Sequence, residues 1–163
     1  MIFVTVGTHE QGMDRLFIEL DRLIAERVIN DEIFAQIGYT KYKPKNFEYK
    51  SMIGYDEMEN WIKRSDIIIT HGGPGSIFHP LKYKKIPIVF PRDPKFNEHV
   101  DNHQILFTKR LEKQNKIIAV YQVEDLKETL IKYEIISRDL HTHSDEVSKF
   151  IKKFDNLIET KLF

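Results

Sequence analysis

The residue types best suited to chemistry sit in two glycine-rich turns. The apolar run Ile67-Ile68-Ile69 ends abruptly at Thr70-His71-Gly72-Gly73-Pro74-Gly75-Ser76. Three glycines and a proline in so few positions let backbone N–H groups approach a ligand closely. A helix starting near Gly75 or Ser76 would add free N–H groups and the positive end of its dipole, which suits a phosphate. His71 and Ser76 add side-chain donors. The pattern points to an anion site of the kind that holds a nucleotide diphosphate. Its bland alternative is an ordinary strand–helix connection, because glycine turns are common in α/β folds. The second turn, Gly7-Thr8-His9-Glu10-Gln11-Gly12, follows another β-rich run and brings a histidine and a carboxylate.

Elements of regular spacing flank both turns. Residues 2–6 read as a strand, and Met13, Leu16, Phe17, Leu20, Leu23, Ile24 and Val28 form a helical stripe behind the first turn. Residues 33–38 read as a second strand, residues 39–46 as a basic surface loop, and residues 47–53 as a third, shorter strand. A short helix capped near Tyr55 or Asp56 leads to the strand at 66–70. Ile77, Phe78 and Leu81 give the next helix an apolar face, with Pro80 expected in its first turn rather than its interior. A strand at 86–91, a helix over 98–111, a strand at 117–120, a helix from Val123 and an amphipathic helix over 144–162 complete the chain. Strands alternating with helices predict an α/β, Rossmann-like, mainly parallel sheet with helices on both faces. Ligands in such sheets bind at the carboxyl ends of strands, where both glycine turns fall.

The 163 residues suit one domain, 1–163. Lys+Arg and Asp+Glu are equal at 25 each, so nothing global attracts nucleic acid. The absence of cysteine excludes disulfides, thiolate metal sites and cysteine catalysis, and fits a cytoplasmic setting. Residues 1–6 do not read as a signal peptide, and no apolar run reaches membrane-spanning length.

The pattern His71-x-Gly73-x-x-Ser76, the strand Pro87-Ile88-Val89-Phe90-Pro91 and the pair His103-Gln104 resemble the nucleotide-sugar, C-terminal half of two-domain GT-B glycosyltransferases. With the opening Val4-Thr5-Val6-Gly7-Thr8-His9-Glu10-Gln11-Gly12, the chain resembles the small catalytic subunits of split bacterial exopolysaccharide and capsule glycosyltransferases. It is similar, too, to the domain that binds the donor in the enzyme forming lipid II. The resemblance implies an inverting UDP-sugar glycosyltransferase, with UDP-galactose the first candidate donor and UDP-glucuronate or UDP-GlcNAc next. His71, Gly73, Gly75 and Ser76 would hold the diphosphate, and Gly7, Thr8 and His9 would face it. His103 and Gln104 would contact sugar hydroxyls, with Glu98 and Asn102 nearby. Many relatives place a glutamate three residues after the serine, on the ribose; here that position is His79. The resemblance further implies a membrane-anchored partner subunit that brings a lipid-linked saccharide acceptor, placing the complex at the inner face of the cell membrane.

No cofactor or metal is called for: the Asp-x-Asp motif of metal-dependent transferases is missing. His99 and His103, spaced i, i+4, could pair on a metal if helical, or could serve sugar binding. His9 or Glu10 is the base candidate in this chain for deprotonating the acceptor; the alternative is that His9 positions phosphate and the partner supplies the base. Lys82-Tyr83-Lys84-Lys85 reads as a solvated helix end, or as a weak contact to an anionic membrane. A non-catalytic UDP-sugar-binding or regulatory module is the competing function. An NAD-dependent oxidoreductase is disfavoured because the first turn lacks G-x-G-x-x-G spacing.

Overall fold

The computed structural model describes residues 1–141 and positions 149, 152, 153 and 156. The helix expected over 144–162 therefore falls largely outside the described residues. Six strands are assigned: β1 (Ile2–Thr5), β2 (Ile33–Gln36), β3 (Glu48–Lys50), β4 (Ile67–Thr70), β5 (Ile88–Val89) and β6 (Ile118–Ala119). They form one sheet in the order β3-β2-β1-β4-β5-β6, every neighbouring pair parallel. Among residues 1–141, five helices accompany them: α1 (Asp14–Ala25), α2 (Tyr55–Arg64), α3 (Pro74–Lys82), α4 (His103–Lys113) and α5 (Leu126–His141). This is the α/β, Rossmann-like arrangement. The strand order reverses between β1 and β4, and that switch point lies where the two glycine turns emerge.

Alternation along the strands explains the layers. Ile2, Val4 and Val6 join a large apolar cluster with Leu16, Phe17, Leu20 and Leu23 of α1. Phe3 points to the opposite face, where it packs with Phe34, Ile68 and Ile62 of α2. Trp61 stacks on Phe34 at 4.0 Å, so it belongs to this second layer. Parallel strands covered on both faces read as continuous apolar runs, as Ile67-Ile68-Ile69 does.

Several boundaries differ from expectation. Pro80 lies inside α3, near its C-terminal end, because the helix starts at Pro74. Proline is well suited to that start, having no N–H to leave unpaired. The segment expected as a helix over 98–111 becomes helical only at His103, after a 3-10 turn at Pro94–Phe96. Lys85 is not a merely solvated charge: its Nζ donates to the carbonyls of Ile62, Lys63 and Ser65 at 2.6–2.7 Å, closing the end of α2. No helix among the described residues is long and apolar enough to cross a membrane.

Candidate functional site

The carboxyl ends of β1 and β4 open into a pocket of about 510 Å³. Gly7 and His9 from the first turn face His71, Gly73, Gly75 and Ser76 from the second across it. Thr8 also lines it, so the structure brings all seven residues expected to hold or face the phosphates together.

His71 forms the floor between the two turns. It is 8% exposed, and a Cβ on Gly7 would come within 2.5 Å of its Nε2. One on Gly73 would come within 2.3 Å of its Cε1. The two glycines are thus required on opposite sides of one imidazole, and Gly7 additionally holds φ at +70°. The Gly73 N–H donates to His71 Nδ1 at 3.1 Å. A backbone amide can only donate, so Nδ1 carries no proton and Nε2 does. Nε2–H then points at Ser76 Oγ, 3.0 Å away, which leaves the serine hydrogen free to reach outward. The 3.4 Å approach of Gln104 Oε1 to Nδ1 is, in this tautomer, a contact between two acceptors. Burial and the nearby Arg92 charge push the His71 pKa down to about 4, so the ring is neutral at ordinary pH.

Helix α3 supplies the main-chain donors. Its N-cap is Gly73, without a side-chain cap, and Pro74 occupies the first position. Ile77 N–H bonds to the Gly73 carbonyl, while those of Gly75 and Ser76 have no partner within the described residues. No acidic side chain lies in the first turn to compete with an anion. A Cβ on Gly75 would meet nothing within 4 Å, so open space lies above these donors.

Beneath the pocket sits a residue the sequence reading missed. Arg92 is fully buried, and its guanidinium donates to the carbonyls of Val6 (2.6 Å), Glu98 (3.0 Å) and Gln11. It ties the first turn to the loop after β5. Its Nε has no partner among the described residues, and burial pulls its pKa down to about 10, leaving it cationic at neutral pH. Gln104 makes a second tie: its Oε1 accepts from the N–H groups of Gly72 (3.0 Å) and Arg92 (3.1 Å). Those fixed donors set the amide orientation and leave Nε2 without a partner among the described residues.

Other expected site residues are placed differently. Glu98 is 2% exposed, and its carboxylate accepts from Arg15 Nε (2.7 Å), Arg15 Nη2 (3.0 Å) and the Asp93 N–H (3.0 Å). It braces the loop and does not offer a free oxygen to a sugar. Asn102 and His103 are exposed at the start of α4. His99 is not on that helix; its ring stacks on His9 at 4.6 Å, which removes the i, i+4 helical geometry considered for a metal pair. Among the described residues no three His, Cys, Asp or Glu side chains gather as metal ligands. Glu10 is exposed and is not among the pocket-lining residues. His79 packs against Tyr55 at 5.4 Å with its Nε2 buried and unpartnered, behind the pocket wall rather than in it.

His9 Nε2 lies 2.9 Å from Gln11 Oε1, while Gln11 Nε2 donates to the Asn97 carbonyl at 3.1 Å. The second bond fixes Gln11 with its oxygen toward His9. His9 Nε2 therefore carries a proton, and in the neutral ring Nδ1 is the acceptor nitrogen. The third wall of the pocket, Ile53, Tyr55 and Met58, is apolar. In sequence these residues read only as the end of a strand and the face of a helix, so nothing singled them out.

The model of the glycosyltransferase family 28 C-terminal domain matches residues 1–160. Among curated proteins no significant match is found. Among solved structures, the glycotransferase of kitacinnamycin is similar at TM-score 0.65 and 15% identity, covering 98% of this chain and 42% of that one. MurG from Acinetobacter baumannii is similar at TM-score 0.57 and 16% identity, covering 92% of this chain and 49% of that one. The chain thus spans about half the length of these two proteins. A molybdenum cofactor binding protein from Rippkaea orientalis also shares the fold, at TM-score 0.53 and 16% identity, covering 82% of this chain and 96% of that one. At such identities the structures speak for fold alone. It is the family match, nearly end to end, over a chain whose two glycine turns meet at the switch point, that places the protein among the glycosyltransferase family 28 C-terminal domains.

Proposed function

We propose that this domain is the donor half of an inverting glycosyltransferase, moving a sugar from a UDP-sugar to a polyprenyl-diphosphate-linked saccharide in exopolysaccharide or capsule synthesis. UDP-galactose is the first candidate, with UDP-glucuronate or UDP-GlcNAc next. The observation that carries the reading is the cradle itself: two unpaired N–H groups of α3 and the Ser76 hydroxyl converge beside Gly7. In it the diphosphate oxygens accept from Gly75 N–H, Ser76 N–H and Ser76 Oγ–H. The uracil lies against Ile53, Tyr55 and Met58. Sugar hydroxyls reach the Gln104 amide nitrogen and the exposed Asn102 and His103.

In the reaction, the acceptor oxygen bonds to the anomeric carbon from the face opposite UDP, and the bond to the β-phosphate oxygen breaks. Negative charge grows on departing UDP, where the α3 dipole and the buried Arg92 cation stabilise it. The acceptor proton passes to Nδ1 of the neutral His9 ring, the nitrogen that the Gln11 hydrogen bond does not occupy. A membrane-anchored partner subunit carries the acceptor over this open site. The test is co-expression with an acceptor-binding partner and transfer to a lipid-linked saccharide. UDP, and not NAD, should protect the chain against heat, and His71→Ala should remove that protection. If no donor is turned over even with the partner, the domain is a binding module; if His71→Ala leaves UDP affinity unchanged, the phosphate assignment is wrong.

A further inference from the structure

On the same rim, next to the pocket, the loop after β2 alternates in burial. Thr40 and Pro44 are buried and Tyr42 is half-buried, whereas Tyr39, Lys41, Lys43 and Lys45 are exposed. Hydrogen bonds hold this alternation. Thr40 Oγ1 accepts from Met13 N–H at 3.1 Å, and Asp14 accepts from Tyr42 N–H at 2.6 Å. Asp21, 3% exposed, accepts from Tyr42 OH (2.6 Å), and from Lys45 N–H, Asn46 N–H and Asn46 Nδ2 (each 2.8 Å). The loop is therefore pinned from within, and its outward face is fixed.

That outward face is basic in a chain of zero net charge. Among the described residues none of Lys41, Lys43 and Lys45 forms an ion pair; Lys43 Nζ donates only to the Thr40 carbonyl at 3.2 Å. Of the acids packed against the loop, Asp14 and Asp21 are committed to its backbone, and the exposed Glu48 follows on β3. Tyr39 (58% exposed) and Met52 (41%) flank a recess of about 440 Å³ that Lys41 and Lys43 also line. Fixed lysines for phosphates, beside an aromatic ring and a thioether, match the headgroup boundary of a bilayer.

We propose that this loop docks on an anionic phospholipid surface, with Lys41, Lys43 and Lys45 on headgroup phosphates and Tyr39 and Met52 at the acyl boundary. Gly38, at the root of the loop, abuts the Gly7 carbonyl, so docking sets the donor pocket beside the membrane plane. The purpose of docking rests on the lipid-linked acceptor proposed above, but the docking itself is measurable without donor, acceptor or partner.

The experiment is sedimentation of the full chain with vesicles of phosphatidylglycerol mixed into phosphatidylcholine, and with phosphatidylcholine alone. Binding is expected only to the anionic vesicles, and should vanish near 1 M salt, where the screening length shrinks to about 3 Å. The triple variant Lys41→Gln, Lys43→Gln, Lys45→Gln should bind about a hundredfold more weakly, from roughly fivefold per lysine. Its UDP affinity should stay that of the parent, which also shows that it folds. Removing three cations elsewhere, with Lys109→Gln, Arg110→Gln and Lys113→Gln on α4, should change binding less than about threefold. Equal sedimentation with both vesicle types, or parental binding by the triple variant, overturns the proposal. So does displacement from anionic vesicles by a single-stranded oligonucleotide at lower concentration than lipid phosphate, which would assign the face to nucleic acid.

Discussion

His71 and His9 lie on opposite sides of one pocket and are held in opposite ways. His71 is wedged between two glycines, bonded at both nitrogens and kept neutral by burial beside Arg92. His9 is half-exposed, held by one hydrogen bond to Gln11 and a stack on His99. In the function proposed above, the floor is preorganised for a ligand whose geometry does not vary, the diphosphate. On the same proposal the rim serves the step that changes, proton removal from an incoming acceptor. Preorganised donors are most effective where charge develops, which argues for the rigid half being at the phosphates.

The floor depends on Arg92, and the largest effect should come from removing it. Arg92→Met leaves two buried carbonyls and one part-buried one without their donor and should cost about 4 kcal/mol of stability, read from the denaturant midpoint. A loss below about 1 kcal/mol would mean that the two turns hold each other without it, and the contrast between floor and rim would weaken.

Acid should act on the floor histidine next. With the folded pKa near 4 and the unfolded value near 6.5, the unfolded chain binds the proton first as pH falls. The stability His71 contributes is therefore complete above pH 6.5 and is lost on going down toward pH 4, by up to about 3 kcal/mol. His71→Gln should flatten that stretch of the stability profile. An unchanged slope would place His71 in a more solvated setting than its burial indicates.

Glu98 sharpens the border between the halves. Glu98→Gln should lower stability by about 2 kcal/mol, through the weakened Arg15 pair, while donor affinity changes less than about threefold. A fall in donor affinity at constant stability would instead make Glu98 a sugar contact.

The parts of this arrangement that the sequence revealed are those built from local pattern. The run Ile67-Ile68-Ile69 into a glycine turn, and the stripe of α1, announced strand, turn and helix, and with them the cradle residues His71, Gly73 and Ser76. What stayed hidden depends on long-range pairing. Arg92 sits in a polar stretch, Pro91-Arg92-Asp93-Pro94, that gives no sign of burial, and its three acceptors come from distant residues. The resemblance implied sugar contacts at Glu98 and Gln104 without showing what their oxygens do; here those oxygens satisfy the protein's own donors, which leaves only the Gln104 amide nitrogen for a ligand. Helix ends were hidden for a different reason. Arg27, Lys84 and Asn115 all take the left-handed conformation after α1, α3 and α4, with φ of 54–57°, where glycine would have been the legible stop signal.

The cradle is tested most directly by calorimetric titration of UDP and uridine into the parent chain and Ser76→Ala. Losing one hydroxyl donor to a charged phosphate, with His71 and the fold intact, should weaken UDP binding about 10- to 100-fold and leave uridine binding unchanged. Equal UDP affinity in the two proteins, or an equal loss for uridine, would contradict the assignment of the diphosphate to the His71–Ser76 turn.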